Sequence, residues 1–563
     1  MVEELSIEHA LTGWGLTGER SSPRREDTRS ASGSASRRVD SSTRLERPGA
    51  SRALFVTFFA LYLLGAGRFP PNADARSLWE VAENLVTRQS VAVQTKWNVA
   101  VPSPDGKVYC LLPLFGSLVH VPGAALREAV GKVAPKSREL TLPLAAKLGS
   151  AAVAAFTLVL FFGLARRHAS PRAALATTVI VGLGTLVAYY ARMPYTEILQ
   201  ACCFTGFVSA VDAALREPDA RAARRLGLWL GLLVNAKLVF LLVVPGVALV
   251  FAWELRPRPR TLWRLFAWAA AVAALCAIPI LWYNRVRFGS PFATGYGAAG
   301  GGVFWRGAWG LLFSPGKSVF LYDPPLLLAL AGIPAFLRRS RPLALALAAA
   351  IAPVFAVYAQ FIYWDGDWAW GPRYLVPFLP ACCLPLALVV DRAMHAARRH
   401  LRAAVVWITF AAGTGMQILG GLFFWDHWIS ISIGASSTWL GTPACDGGLP
   451  PEGGCWPEGK FLYGVHWLPS FNPIAGHAWL LRHKAAGDRF EDAQDDAPWQ
   501  FEGHIDAPGA KLHYNTTTWD WWALAWGKQR RAAGVVIGVL LVGVLFGATR
   551  LALYYRNSPT PSR

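Results

Sequence analysis

Charged residues are scarce in this chain, at 16% of 563 positions, whereas 54% of the residues are hydrophobic. That composition is too apolar for a water-soluble protein and is normal for a helical membrane protein. The formal net charge of +20 is compatible with nucleic-acid binding, but no soluble basic domain is left to carry that function. The arginines instead form short clusters between apolar runs of membrane-spanning length. We therefore do not expect nucleic acid as a partner.

Other signals are also absent from the sequence. No small-residue cleavage site follows the apolar run at 53–67, which predicts a retained span rather than a removed signal peptide. No His/Cys cluster has metal-ligand spacing, so we expect neither an essential metal nor another cofactor. Residues 1–51 are rich in Ser and Arg and lack a core pattern, which indicates a disordered cytoplasmic tail.

The apolar runs predict an all-α polytopic membrane protein with about twelve spans, because a helix needs roughly 20 apolar residues to cross the bilayer core. The stretch 226–253 has basic connectors on both sides, so both of its ends are expected inside. Two short helices that meet near Asn235-Ala236-Lys237 satisfy this rule and place Lys237 at the outer surface. The other predicted spans are 52–68, 140–165, 173–190, 196–215, 265–283, 324–337, 342–361, 374–391, 403–424 and 533–552.

This topology predicts an integral protein of the bacterial cytoplasmic membrane whose working surface faces away from the arginine clusters. Cys445 and Cys455 lie in the outer region before the last span, where an oxidising compartment favours a disulfide between them. The predicted parts are a tail (1–51), a transmembrane domain (52–424) that includes an outer loop (69–139), an outer region (425–532), and a last span with its tail (533–563).

Two stretches of the first outer loop are predicted to form surface helices. Ser77 to Glu80 has the pattern of a capping box that opens an amphipathic helix lying on the membrane. The second stretch, 108–126, is broken by Pro113 and Pro122 and is predicted to be another surface helix.

The unusual polar and aromatic residues concentrate at the outer ends of the spans and in the outer loops. Such a ring of carboxylates, cations and aromatics is expected for a site that meets a lipid-linked anionic substrate. A transporter would place ionisable residues near the bilayer midplane and often has paired halves, but this sequence has no clear internal repeat. The candidates are Asp74, Arg76, Glu80, Tyr109, Arg192, Glu197, Lys237, Tyr296, Trp364, Trp368, Trp370, Arg373 and Tyr374.

Segments that carry these candidates resemble, in order along roughly 53–390, the C-type (GT-C) glycosyltransferase superfamily. The resemblance is to its family-39-like and aminoarabinose-transferase-like branch, in which an acidic residue follows the first span and precedes an amphipathic surface helix. The matching segments are Asp74 with Arg76, Lys107-Val108-Tyr109 to Pro113, Arg192 to Glu197, Gly231 to Lys237, Arg287 to Tyr296, and Gly371-Pro372-Arg373-Tyr374 with Pro377 and Pro380.

This resemblance implies a GT-C-like bundle and an inverting transfer of a sugar from a polyprenyl-phosphate-linked donor. The acceptor would be a glycan, lipid or protein on the outer face. Its hydroxyl must lose a proton, which requires a carboxylate base, and Asp74 is the predicted base. The departing lipid phosphate is already anionic and needs cations more than a general acid. The predicted cations are Lys237, Arg192 and Arg373.

The remaining predictions concern substrate contacts and alternatives. Many relatives carry a second acid where this chain has Ala75, so Glu80 or Glu83 remains a rival base. Each candidate also has a structural interpretation: a helix cap for Asp74, snorkelling for Lys237, headgroup anchoring for Arg373, and an Arg192–Glu197 ion pair. The predicted substrate-binding residues are Arg76, Tyr109, Glu197, Tyr296, Trp368, Trp370 and Tyr374.

Competing functions share the same membrane architecture. The chain is also compatible with a lipid or polysaccharide flippase or transporter, and with a non-catalytic envelope-assembly protein of the same fold. A polymerase or ligase for surface polysaccharide is a nearer enzymatic alternative, because it uses donor lipids of the same kind and has a large outer loop.

Overall fold

The computed structural model describes most of the chain. The described residues are 47–67, 72–95, 99–295, 301–366, 369–395, 399–423, 425, 428–429, 431–432, 463–488, 517 and 519–558. All contacts discussed below lie within residues 49–563.

Helices dominate the described residues, and they are numbered here in chain order. They are α1 (Arg47–Leu64), α2 (Ala73–Arg88), α3 (Leu114–Leu118), α4 (Val121–Val133), α5 (Arg138–Ala165), α6 (Pro171–Gly184), α7 (Leu186–Tyr190), α8 (Glu197–Arg216), α9 (Ala220–Ala236), α10 (Val243–Glu254), α11 (Pro259–Phe288), α12 (Phe304–Phe313), α13 (Val319–Tyr322), α14 (Pro325–Arg339), α15 (Arg341–Gln360), α16 (Leu379–Cys382), α17 (Leu384–His395), α18 (Arg399–Leu422), α19 (Tyr463–Trp467), α20 (Pro473–Ala486) and α21 (Asp520–Asn557). Short 3₁₀ turns occupy Pro135–Ser137, Leu238–Leu242, Arg373–Phe378 and Pro469–Phe471.

The prediction of a helical membrane protein is confirmed. Six helices in the described ranges are long and apolar enough to cross a membrane: α5 with its leading turn, α8, α11, α15, α18 and α21. A bent pair, Arg373–Cys382 with Leu384–His395, makes a seventh candidate, and three shorter apolar helices accompany these. The count of about twelve spans stays a prediction. The last helix begins at Asp520 rather than near residue 533, and it bends at Gln529.

The apolar stretch 226–253 is interrupted where the charge pattern predicts. Helix α9 ends at Ala236, Lys237 is extended, and a 3₁₀ turn leads into α10. Asn235 supports the end of α9, because its amide donates to the carbonyls of Gly231 and Cys276 at 2.8 and 2.6 Å. The two halves have different neighbours: α9 packs on α8 and α11, and α10 packs on α15.

One end of the bundle is held together by the arginine connectors. The buried carboxylate of Asp212 receives Arg167 at 2.9 Å and Arg216 at 3.0 Å, with His168 at 3.2 Å. These contacts join the last turn of α8 to the end of α5. Because α8 has 20 residues and is therefore about 30 Å long, Glu197 at its first residue lies at the opposite end of the bundle.

The surface helix of the first loop forms, but it begins earlier than predicted. Helix α2 starts at Ala73, and the side chain of Asn72 accepts hydrogen bonds from the backbone N–H groups of Asp74 and Ala75. The predicted capping box is wrong, since Ser77 is buried within the helix. Asn72 supplies the cap instead, which leaves the carboxylate of Asp74 available for other contacts.

The stretch 108–126 is not one surface helix. It contains β3 (Val108–Cys110), α3 and the start of α4, separated near Pro113 and His120. Strand β3 is central in a three-stranded antiparallel sheet, between β1 (Ala92–Val93) and β2 (Ala100–Pro102). The guanidinium of Arg287 joins this sheet to α11, because it donates to the carbonyl groups of residues 110–112.

An ion-pair network fixes α2 on its neighbours. Arg127 of α4, only 7% exposed, bonds Glu83 of α2 and lies 2.6 Å from Glu139 of α5. Arg138 reaches the same Glu83 carboxylate at 3.0 Å. The helix that carries Asp74 is therefore fixed at its middle by charges and at its start by Asn72.

Candidate functional site

Arg373 lies between two carboxylates that come from distant parts of the chain. Its Nη1 is 2.9 Å from Oδ2 of Asp74, and its Nε is 3.9 Å from Oε1 of Glu197. The exposed fractions of the three side chains are 12% for Arg373, 21% for Asp74 and 7% for Glu197. Asp74 is thus the more accessible of the two acids.

The local structure explains why the acids point to this place. Asp74 stands in the first turn of α2 and Glu197 is the first residue of α8. Helix N-termini stabilise negative charge through their free N–H groups and the helix dipole. Arg373 opens the 3₁₀ turn that follows Gly371, whose φ of 67° few other residues adopt without strain,. Two acidic helix starts therefore face one cation.

Lys237 lies on an aromatic pair beside this cluster. Its Nζ is 5.0 Å from the ring centre of Tyr358 and 4.9 Å from that of Tyr374. The two rings are stacked on each other at 4.5 Å and are inclined by only 3°. Arg373 also lies over the Tyr374 ring, at 5.4 Å. The residue after Arg373 therefore connects the two cations, and each contact is a cation–π interaction.

The charge of Lys237 is not neutralised by direct pairing. In the part of the chain that the structure describes, no carboxylate lies within ion-pair distance of its Nζ. Burial lowers the pKa of Lys237 to about 8; the nearby charges of Glu197 and Asp74 oppose this shift, and Arg373 adds to it. Lys237 is thus a cation at neutral pH that can take up an anionic ligand.

A cavity of about 260 Å³ flanks the break that carries Lys237. Most of its lining is apolar, and its polar side chains include Asn235, Tyr283, Asn284, Arg287 and Thr294. Leu238, the residue after Lys237, is part of the wall, as is Ile280 of α11. The site therefore has an apolar space next to a cation.

Arg192 does not join the cluster, which corrects the prediction that it binds phosphate there. Its guanidinium turns back to the carbonyl of Ala188 and reaches that of Gln417 in α18, both at 3.3 Å. Among the described residues, no ion pair links it to Glu197. The turn after α7 directs this side chain against α18, where backbone carbonyls rather than carboxylates receive it.

Trp370 is also misassigned by the sequence. It is 0% exposed and its ring lies between Tyr322 and His477, at 5.0 and 4.5 Å. A sugar cannot stack on a ring that is enclosed on all sides, so Trp370 is a core residue. Trp364 is likewise buried, against His466 and Trp467.

Glu80 and Tyr109 have other partners, and several predicted residues lie outside the described ranges. The carboxylate of Glu80 accepts the backbone N–H groups of Gln94 and Thr95 at 2.6 and 3.2 Å. Tyr109 donates to Asp105 at 2.7 Å, and Arg76 is exposed on α2. Glu197 and Tyr374 are both in the cluster. Tyr296, Trp368, Cys445 and Cys455 lie outside the described residues.

Sequence reasoning missed Tyr358, which is one of the two stacked tyrosines that contact Lys237. A single Tyr near the end of an Ala-rich span gives no signal of its own, because span ends commonly carry aromatic residues. Within the described ranges, no group of three His, Cys, Asp or Glu side chains is arranged to hold a metal ion.

The charge arrangement predicts a measurable coupling. Replacing Arg373 with Met leaves Asp74 and Glu197 without their cation, and we expect a loss of about 3–5 kcal/mol in the free energy of unfolding. Adding Glu197→Gln should restore part of that loss, with a coupling of about 0.5–3 kcal/mol between the two sites. Unfolding in mixed detergent measures both. Arg285→Met, an exposed arginine on α11, is the control, and strict additivity of Arg373→Met and Glu197→Gln would contradict the shared contact.

No family model matches the chain, and no curated protein matches it. Solved structures do. ArnT from Cupriavidus metallidurans in the apo state is 16% identical with a TM-score of 0.44, covering 92% of this chain and 78% of ArnT. The same protein bound to undecaprenyl phosphate is 15% identical with a TM-score of 0.42, at 91% and 77% coverage. The apo oligosaccharyltransferase of Archaeoglobus fulgidus is 14% identical with a TM-score of 0.46, at 71% and 59% coverage.

Proposed function

We propose that this membrane protein is a glycosyltransferase that moves a sugar from a polyprenyl-phosphate-linked donor to an acceptor, with inversion. The observation that carries the proposal is the convergence of Asp74, Arg373 and Lys237 at the end of the bundle opposite the arginine connectors. A base and two cations are what this reaction requires. By the positive-inside rule, the arginine-rich end is cytoplasmic and the site faces the exterior.

Asp74 is the proposed base. The acceptor hydroxyl attacks the anomeric carbon of the donor sugar, the bond from that carbon to the phosphate oxygen breaks, and the hydroxyl proton passes to the Asp74 carboxylate. A single displacement inverts the anomeric carbon. Asp74 is more exposed than Glu197, which favours it as the group that meets the acceptor. Glu197 then serves to hold Arg373.

Glu80 and Glu83 are weaker candidates for the base. The Glu80 carboxylate already accepts two backbone N–H groups of the segment after β1. Glu83 is held by Arg127 and Arg138 in the network that fixes α2. Both carboxylates therefore have partners outside the cluster of Arg373 and Lys237. The Ala at position 75 therefore leaves Asp74 as the single proposed base.

Lys237 and Arg373 are the proposed phosphate ligands. Breaking the sugar–phosphate bond adds negative charge to the phosphate, and preorganised cations at that place stabilise the transition state. A guanidinium can bind two phosphate oxygens at once, while an ammonium acts as a point charge. Among the described residues no carboxylate pairs with Lys237, which supports this role because no such ion pair must break before an anion binds.

The apolar cavity beside Lys237 is the proposed seat of the first isoprenoid units. Leu118 of α3, Leu238 and Ile280 supply apolar walls within reach of the lysine-bearing break. A lipid phosphate places its charge and its chain on adjacent atoms, so it needs a cation next to an apolar surface. The cavity and Lys237 meet that requirement together.

The base assignment predicts a selective loss of transfer. Asp74→Asn keeps the shape of the side chain but cannot accept the proton, so we expect the transfer rate to fall about 100- to 10,000-fold. Transfer of labelled sugar from a synthetic polyprenyl-phosphate donor, in detergent or nanodiscs, measures the effect. Glu80→Gln is the control and should stay near wild type, because an amide oxygen still accepts the two N–H groups. Normal transfer by Asp74→Asn would contradict the assignment of Asp74 as the base. In proteoliposomes, movement of lipid-linked sugar across the bilayer without transfer would favour a flippase.

The pKa of Lys237 predicts the alkaline limb of the pH profile. Lysine is charged below its pKa, so phosphate binding is supported at neutral pH and is lost as the pH rises through about 8,. We expect kcat/KM of the wild type to fall about tenfold per pH unit above that value. Lys237→Arg stays charged, so its profile should lose this limb even if its maximum is lower. An unchanged limb in Lys237→Arg would assign the titration to another group.

The cavity predicts that the isoprenoid chain contributes to binding of the donor lipid. Ile280→Trp fills the space with an indole, and we expect the Kd for undecaprenyl phosphate to rise roughly tenfold, equal to about 1.4 kcal/mol. Inorganic phosphate, which has no isoprenoid chain to occupy the cavity, should be affected less. Ile278 lies on the same helix and is 58% exposed, so Ile278→Trp is the matched control. Equal effects of Ile280→Trp and Ile278→Trp on the binding of both ligands would contradict the assignment of the cavity to the donor site.

A further inference from the structure

The segment 463–488 lies against the loop that leads to Arg373. Nε2 of His466 is 2.9 Å from Oδ2 of Asp365, and both side chains are largely buried. The ring of His466 also meets Trp364 edge-on at 5.6 Å. At the other end of the loop, the ring of His477 packs on Trp370 at 4.5 Å. This segment therefore contacts the loop on both sides of residues 367–368.

Lys317 also forms hydrogen bonds with the same loop. It is 0% exposed, and its ammonium donates to the carbonyl of Ala369 at 2.7 Å and to that of Gly371 at 3.3 Å. The turn that carries it is joined to the 463–488 segment, since the N–H of Gly316 donates to the His466 carbonyl at 3.2 Å. A buried ammonium is costly unless its protons are hydrogen bonded, so these contacts fix the backbone firmly.

The loop in turn contacts Arg373 at both of its ends. A Cβ at Gly366 would lie only 2.6 Å from Cγ of Arg373, so the backbone after Asp365 packs directly on the arginine side chain. Gly371, whose carbonyl Lys317 binds, is two residues before Arg373, and its φ of 67° sets the direction of the chain there. The loop therefore packs on Arg373 after Asp365 and sets the direction of the chain that leads into it at Gly371.

We propose that Lys317 and the Asp365–His466 pair are positioning residues for Arg373, and that the 463–488 segment completes the site rather than forming a separate outer module. The inference rests on the proposed function only where Arg373 binds the donor phosphate. The positioning itself is a property of the loop. None of the three residues contacts the phosphate; they act through the backbone that carries Arg373.

The test compares two Asp–His pairs whose histidines, His466 and His483, lie in the same segment. Asp365→Ala removes the partner of His466, and the control Asp488→Ala removes the partner of His483, whose Nδ1 is 2.6 Å from Asp488. Asp365→Asn keeps a hydrogen-bond acceptor and serves as the conservative variant. Lys317→Met is the second perturbation. Hydrogen exchange of the amides at 373–378 and the Kd for undecaprenyl phosphate are measured for each protein in detergent, alone and with Arg373→Met.

We expect Asp365→Ala and Lys317→Met to speed exchange at 373–378 roughly tenfold and to weaken undecaprenyl phosphate binding roughly tenfold. With Arg373→Met already present, neither should weaken binding further, because positioning acts only through that side chain. Asp365→Asn should retain most of the wild-type affinity, and Asp488→Ala should change neither quantity.

Three outcomes would overturn the proposal. They are unchanged exchange in both Asp365→Ala and Lys317→Met, an equal response to Asp488→Ala, and further loss of binding in the Arg373→Met background. A wild-type protein that binds no undecaprenyl phosphate would contradict the proposed function instead. In that case the exchange measurement still decides whether these residues position Arg373.

Discussion

The guanidinium of Arg373 and the two carboxylates around it compensate one another's charges. Each is largely removed from water, and a charge in that setting must be paired to offset its lost hydration. Asp74, Glu197 and Arg373 come from the starts of α2, α8 and a 3₁₀ turn, so these three chain segments must converge. The arrangement of this end of the bundle follows from that requirement, including the cap by Asn72 and the ion pairs that fix α2. Lys237 contacts the group through the stacked rings of Tyr358 and Tyr374 rather than through an acid.

The sequence selects Asp74, Lys237 and Arg373, which the structure brings together, because each interrupts an apolar pattern at a definite end of a span. A charge in such a place is expensive, so the positive-inside rule restricts where it can lie. Arg192 and Trp370 satisfy the same pattern and still belong elsewhere. Arg192 turns towards α18 and Trp370 lies inside the core. Sequence spacing predicts at which end of the bundle a residue lies. The direction of its side chain depends on which helix packs beside it.

Local structure in the first loop shows the same limit at a smaller scale. The pattern from Ser77 to Glu80 fits a capping box, but Asn72 is a better cap and lies five residues earlier, so the helix begins there,. Strand β3 is only three residues long, and a run of that length has no periodicity that separates strand from helix. Its pairing with neighbouring strands and the hydrogen bonds from Arg287 to the carbonyls of residues 110–112 are tertiary contacts. They become visible only when the sheet and α11 are placed together.

The charges of the cluster also suggest how the proposed reaction proceeds without a change in the net charge of the site. Two carboxylates and two cations balance before the donor arrives, and a sugar-linked lipid phosphate adds one negative charge. During transfer, Asp74 gains the acceptor proton and becomes neutral, while the released lipid phosphate becomes more negative by one. The negative charge therefore moves from Asp74 to the phosphate. Arg373, which contacts Asp74 in the free protein, loses attraction to the acid as the phosphate gains it. Coulomb attraction thus favours the guanidinium following the charge, and Glu197 keeps it from leaving the site.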